Sequence, residues 1–297
     1  MKKVAILIST YNGEKFIKEQ LCSLKNQDYA GEVEIFVRDD GSRDKTVEIL
    51  KNEGVKNIIE GENVGFAKSF FAVLKFAYEK SDAELFFFCD QDDVWKKEKI
   101  TKMVEAAKSY DTKKPFVIFH NLALVDENLN SLNVDIYQKT SCNPKKTKFR
   151  DFWFHANVWG CSMMFSRALA SLFVPANFEL KLPTHDNMIN LVNAYFGDFC
   201  FLDEKLVLYR QHGHNLSSGN QQRKKQIFKR FSATPYCDML RAFLQLFGER
   251  LPQKERAALQ EVANIDKAGF FKKRYLLLKH RVGKNNWLMS VGLFVKI

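Results

Sequence analysis

The sequence predicts an α/β domain, a mostly parallel sheet with helices on both faces, followed by a basic α-helical tail. Three observations predict it. Short apolar runs alternate with segments of helical period as far as Phe119, the pattern of βαβ units. Polar clusters rich in Asp, Asn, Ser and Gly recur where the apolar runs stop. Residues 220–297 hold 17 Lys and Arg against 5 Asp and Glu, which leaves 29 basic and 30 acidic residues in 1–219 and confines the net charge of +11 to the tail.

The elements follow in order. Val4-Ala5-Ile6-Leu7-Ile8 is a continuous apolar run, too short for a helix and suited to a strand buried on both faces. Phe16, Ile17, Leu21 and Leu24 recur at helical spacing within 13–26. Strands are then expected at 33–37, 57–60, 84–89 and 116–119, with helices at 45–52, 66–78 and 95–109. Beyond Phe119 the alternation loosens into a mixed half. A basic, aromatic loop spans 141–155 (Lys145, Lys146, Lys148, Phe149, Arg150, Phe152, Trp153, Phe154) and a strand-like run spans 159–165. A helix is expected over 187–196 with His185-Asp186 at its start, then a strand-rich stretch over 199–210. Charge and pattern both change near Ser218-Gly219, dividing a domain of residues 1–219 (halves 1–119 and 120–219) from an extension of 220–297. The extension reads as helices over 222–232, 236–248 and 252–278.

Composition narrows the class. With 297 residues, 46% apolar and 27% charged, the chain is neither disordered nor collagen-like. Its six cysteines lie far apart with no CxxC pair, so neither a zinc site nor a disulfide framework is expected, and the spacing suits a reducing compartment. The apolar run after Met1 is shorter than a secretion signal requires, and no stretch reaches ~18 apolar residues. The expectation is a cytoplasmic protein, soluble or peripheral on the inner face of the cytoplasmic membrane.

On a parallel sheet, ligands bind beyond the carboxyl ends of the strands. Those ends carry Ser9-Thr10-Tyr11-Asn12, then Arg38-Asp39-Asp40-Gly41-Ser42, then Gly61-Glu62-Asn63-Val64-Gly65, then Asp90-Gln91-Asp92-Asp93. Any one is an ordinary turn; all four at one sheet edge make a crevice. Lined by Asp39, Asp40, Asp90, Asp92 and Asp93, it repels anions unless a cation neutralises it, which favours phosphate chemistry with a divalent metal.

These residues, with Arg43-Asp44, Glu62-Asn63-Val64-Gly65-Phe66-Ala67, Asp92-Asp93-Val94-Trp95, His185-Asp186 and Tyr209-Arg210-Gln211-His212, resemble the inverting family-2 glycosyltransferases of GT-A fold, nearest the bacterial rhamnosyltransferase-like branch. The resemblance covers roughly residues 3–217. It implies that Thr10, Tyr11, Asn12 and Asp40 hold the nucleotide, Asp40 accepting from the pyrimidine ring, with Asp39, Asn63, Lys68 and Asp90 beside them. Asp92 is implied as the ligand of Mg²⁺ or Mn²⁺ that bridges the donor diphosphate, completed by His212 or by His214 two residues on. Asp186 matches the general base that deprotonates the acceptor hydroxyl for in-line attack, the metal standing in for a general acid. Gln91, Asp93, Trp159, Gly160 and His185 are placed at the donor or acceptor sugar, although His185 stands where many members carry an acid.

The remaining candidates weigh less. His120 and His155 are isolated, Trp153 among 27 Phe reads as core, and Cys161 has no base partner that would make it a nucleophile. In the tail, Phe270 to Lys279 mixes apolar and basic residues as a helix at an anionic membrane does, and the run 286–295 is apolar but too short to span. Packing on the catalytic domain or on a second copy, as a homodimer, is the other reading of these helices. A sugar-nucleotide pyrophosphorylase is disfavoured because the first loop has a single glycine, Gly13, and lacks a basic triphosphate loop. Nucleic-acid binding is disfavoured by the uncharged front, and a dehydrogenase by the lack of GxGxxG after a strand. The implied substrates are a nucleotide-diphospho-sugar, dTDP-rhamnose or a UDP-hexose, and a glycan or lipid-linked glycan of bacterial surface polysaccharide, lipopolysaccharide or capsule.

Overall fold

The computed structural model describes residues 1–147, 149–154, 158–174, 184–213, 233–280 and 282. Four strands and the helices between them build the first half: β1 (Val4–Thr10), α1 (Ile17–Lys25), β2 (Val33–Asp39), α2 (Thr46–Asn52), β3 (Asn57–Glu60), α3 (Phe66–Lys80) and β4 (Leu85–Cys89). The pairs β1–β2, β1–β4 and β2–β3 are all parallel. Their register sets Thr10 opposite Asp39, Asp39 opposite Glu60 and Ile8 opposite Cys89, so the four polar loops leave one edge of the sheet together. Val4 to Ile8 and all of β4 are buried, and covering a side chain of that size is worth ~1.5–3 kcal/mol.

The second half turns the sheet mixed. It comprises β5 (Val94–Trp95), α4 (Lys99–Ala107), β6 (Phe116–Val125), β7 (Ser131–Asp135), α5 (Ile136–Thr140), β8 (Met163–Ser166), α6 (Arg167–Ala170), α7 (His185–Phe196) and β9 (Asp198–Arg210). The strand order is β3-β2-β1-β4-β8-β6-β9-β5, with β7 on β6. Strand β8 runs antiparallel between β4 and β6, and β9 returns parallel to β6. The two-residue β5 pairs antiparallel with β9, Val94 opposite Leu208. That pairing carries the loop after β4 to the end of β9.

Several boundaries differ from expectation for physical reasons. The strand expected at 116–119 continues to Val125, because the polar pair His120-Asn121 is buried within it. Its polarity is met in part locally: His120 Nδ1 lies 2.6 Å from the Asn121 carbonyl, and Leu122 N–H donates to Asn121 Oδ1 at 2.8 Å, where the register with β9 shifts, while His120 Nε2 finds no partner among the described residues. The helix expected from 95 begins at Lys99, since Trp95 is held in β5. The single helix expected over 252–278 is two, α9 (Gln253–Ala263) and α10 (Phe270–Lys279), separated at Asn264 to Gly269. The expected helix 222–232, the boundary at Ser218-Gly219, His155, His214 and the apolar run 286–295 lie outside the described residues.

The tail packs on the body. Helix α8 (Thr234–Phe247) sets Phe243 5.1 Å from the Tyr195 ring and Phe247 5.6 Å from Phe196 on α7. Arg150 pairs with Glu255 of α9 at 2.8 Å and donates to the His280 carbonyl at 3.2 Å. No helix among the described residues is long and apolar enough to cross a membrane.

Candidate active site

The first three loops brace one another. Thr10 Oγ1 donates to Asp39 Oδ1 at 2.8 Å, and Asp39 also accepts from the Ser42 hydroxyl and amide at 2.6 and 2.8 Å. Asp40 accepts from Arg38 and from the amides of Val64 and Gly65 at 2.9 and 3.0 Å, closing the third loop over the second. Gly41 makes this closure possible. Its φ is +83°, and a Cβ there would meet Asn63 N and Gly61 O at 3.2 Å. Asn12, in the left-handed region at φ 46°, receives the Arg43 amide and donates its own to Ser42, each at 2.9 Å. Tyr11 stays half exposed, its backbone clamped by Gln91 through bonds of 2.9 and 3.1 Å. Asn63 and Lys68 are exposed on the third loop and the first turn of α3.

The acidic loop is different in kind. Asp92 lies 2.7 Å from His212 Nε2, whose ring leans on Phe16. Arg210 holds this corner: its side chain donates to the Asp92 carbonyl at 2.7 Å and bonds the Glu127 carbonyl and Glu19, while its amide donates to Asp93 Oδ1 at 3.0 Å. Asp93 is fully buried, and its carboxylate, that of Asp90 and the Cys161 thiol bring ligand atoms within 4.8 Å of one another. Burial, then the charges of Asp92 and Asp186, push Asp90 up to about 7; burial, Asp92 and Asp90 push Asp93 well up. Of the five aspartates expected to line an open crevice, Asp39, Asp40 and Asp93 are thus buried, and Asp90 and Asp92 are its half-buried face.

Asp186 comes from the second half of the domain, in the first turn of α7. Thr184 caps α7, its hydroxyl bonded to Asp186 and facing the Asn187 amide at 3.3 Å. The carboxylate also accepts from Asn187 N at 2.8 Å and Gly160 N at 3.0 Å, while burial raises its pKa. His185 beside it is buried in an aromatic box, 3.9 Å from the Phe70 ring and 4.5 Å from Phe88. Among the described residues neither of its ring nitrogens has a hydrogen-bond partner, and burial pushes it down to about 3, so the ring is neutral. A Cβ at Gly160 would lie 2.6 Å from His185 Nε2, so only glycine brings that amide to Asp186. Trp159, half-buried, packs 5.4 Å from Tyr137.

Lys99 is the member that sequence reading missed. It is fully buried, stacks 3.3 Å from the Trp95 ring centre and donates to the Cys161 carbonyl at 2.7 Å. Burial pushes it down to about 7 against the opposing pull of Cys89, Cys161, Asp93 and Asp90. The signal was available: Lys99 shares the apolar phase of α4 with Ile100, Met103, Val104 and Ala107. Trp153 and His120 are buried core residues, and the Cys161 thiol is pushed well up by burial, which leaves it inert.

The donor chemistry fits a divalent cation. Crowded carboxylates that cannot all ionise, together with an imidazole, are hard and borderline ligands whose repulsion a cation relieves. Asp92, His212 and Asp90 stand on the open side; Asp93 and Cys161 lie behind them.

A mostly parallel sheet that gathers four polar loops at one edge and turns mixed through the antiparallel β8 has the GT-A fold. Residues 5–173 match the glycosyl transferase family 2, and the chain belongs to that family: it is a transferase. It is 28% identical over 234 residues to the dTDP-rhamnosyl transferase RfbG of Shigella flexneri, covering 72% of this chain and 74% of RfbG. Among solved structures, residues 1–349 of S. aureus TarS in complex with UDP-GlcNAc superpose with a TM-score of 0.59 at 18% identity, covering 94% of this chain and 80% of that one. This chain spans 43% of a longer TarS chain. The mannosyltransferase PcManGT of Pyrobaculum calidifontis, in complex with GDP-Man and Mn²⁺, superposes with a TM-score of 0.52 at 14% identity, covering 99% and 79%. At these identities the structural likeness establishes the fold.

Proposed function

We propose that this glycosyltransferase moves a sugar, with inversion, from a nucleotide-diphospho-sugar to a hydroxyl of a glycan or lipid-linked glycan in bacterial surface polysaccharide synthesis, at the inner face of the cytoplasmic membrane. dTDP-rhamnose is the first donor to test, supported by RfbG, followed by the UDP-hexoses, supported by TarS. The observation that carries the reading is Asp186, a buried carboxylate anchored by Gly160, Thr184 and Asn187 within electrostatic reach of Asp90.

Tyr11, Asn12, Asn63 and Lys68, on loops braced by Thr10, Asp39 and Asp40, receive the nucleotide. Mg²⁺ or Mn²⁺, held by Asp92 and His212 with Asp90 beside them, would supply the positive charge that stabilises the leaving diphosphate. Asp93 fixes the acidic loop through the Arg210 amide, and Gln91 fixes Tyr11. Trp159 stands on the sugar side, whereas His185, expected there, is enclosed by Phe70 and Phe88 and acts from behind by fixing Gly160. Asp186 takes the acceptor proton as the oxygen attacks the anomeric carbon; its raised pKa makes it a better base than a solvated aspartate.

The test is a panel of nucleotide sugars scored for Mn²⁺-dependent binding and transfer. Asp186→Asn is expected to keep donor binding and lose ~10²–10⁴-fold in turnover, and Asp92→Ala to lose metal-dependent donor binding. If no nucleotide sugar binds with either metal, the reading is withdrawn.

A further inference from the structure

Helix α10 buries Leu276 and Leu277 against the tail, each no more than 5% exposed. Its other side is unusual for a protein surface in water. Phe271, Tyr275 and Leu278, spaced i, i+4 and i+7, are 84%, 61% and 65% exposed, and Phe270 before them is 60% exposed. Those spacings put the three on one stripe of the helix. The same ten residues carry Lys272, Lys273, Arg274 and Lys279 and no acid, with the Arg274 guanidinium 3.3 Å from the Phe270 ring centre.

Each candidate occupant must satisfy both features. Lys279 is already paired with Glu261 at 2.7 Å, and a second copy of this face would set Lys272 and Arg274 against their like. A nucleic acid would match the charge and leave the aliphatic and aromatic stripe in water. An anionic bilayer answers both, with acidic headgroups for the cations and the acyl boundary for the rings. We propose that α10 lies flat on an anionic lipid bilayer, inserting Phe271, Tyr275 and Leu278 between headgroups that the flanking Lys272 and Arg274 contact. The inference goes beyond the transfer reaction and holds whichever sugar is moved. It names the surface that would bring the site to a lipid-anchored acceptor.

The test is cosedimentation of the whole protein with vesicles of phosphatidylcholine alone and of phosphatidylcholine mixed with phosphatidylglycerol. Binding is expected to the mixed vesicles and to weaken with salt. Phe271→Glu with Leu278→Glu, and separately Lys272→Glu with Arg274→Glu, should each lower the partition coefficient by at least about tenfold. All four positions lie away from the acidic site, so the variants should keep wild-type helicity and donor binding, which separates lost docking from lost folding. Wild-type partitioning of either folded pair, or no binding of the wild type to mixed vesicles, would overturn the proposal. So would loss of vesicle binding that tracks dissociation of a dimer rather than lipid charge.

Discussion

Where β1, β2 and β3 end, Asp39 and Asp40 are each 2% exposed, yet every carboxylate oxygen accepts a hydrogen bond from a neighbour in the same three loops. Where β4 ends, Asp90 and Asp93 crowd Asp92 and Cys161, with Lys99 buried beneath; burial and neighbouring carboxylates push Asp90 and Asp93 up, and burial pushes Lys99 down. The first corner is complete without a ligand: its carboxylates hold the loops in shape. The second holds more charge than its own partners neutralise. A buried acid is therefore poor evidence of chemistry until its partners are counted, and partner counting divides these aspartates into a satisfied set and a crowded one.

The sharpest way to break that division is Asp40→Ala. It strips the buried Arg38 guanidinium of its carboxylate and removes the acceptor of the Val64 amide, the Gly65 amide keeping Asn63 Oδ1, so a loss of about 3–5 kcal/mol is expected in urea unfolding. The corresponding change on the other side should stabilise. Asp90 sits at about 7 in the folded protein, above its unfolded value. Its contribution is complete below the unfolded pKa of ~4 and is lost as pH rises through 7. Asp90→Asn should therefore gain on the order of 4 kcal/mol relative to wild type between pH 4 and 8, and added Mn²⁺ should narrow the difference at pH 8; parallel pH-dependent curves would sink the assignment.

Gly160→Ala probes the seam between the corners. A Cβ 2.6 Å from a ring boxed by Phe70 and Phe88 must push the turn away from Asp186. A cost of about 1–3 kcal/mol is expected, with turnover falling and donor affinity kept, read by thermal unfolding and steady-state kinetics. The smallest effect on folding belongs to Lys99→Met, about 1 kcal/mol, because the lost bond to the Cys161 carbonyl is offset by removing a buried ammonium. Its signature lies elsewhere: with that cation gone, Mn²⁺ should bind more tightly in calorimetry.

Much of this was legible in sequence because the responsible forces are local. A run such as Val4 to Ile8 must be buried on both faces, and Asp-Asp-Gly-Ser must turn. The two-residue β5 and the continuation of β6 through His120-Asn121 were not legible, since each exists only through a partner strand distant in sequence. Lys99 was half legible, its apolar phase on α4 masked by the neighbouring Lys96, Lys97 and Glu98.

The sequence by itself determined the α/β class, the four loops at one sheet edge and the basic tail, because hydrophobic period and turn chemistry act within a few residues. Only the tertiary structure decided which aspartates are scaffold and which are strained. It also decided that Arg210 and His212 come to the Asp92 loop, that Gly160 reaches Asp186, and which side of α10 faces solvent. Burial, repulsion and hydrogen-bond satisfaction depend on groups tens to more than a hundred residues apart, and no local pattern encodes them.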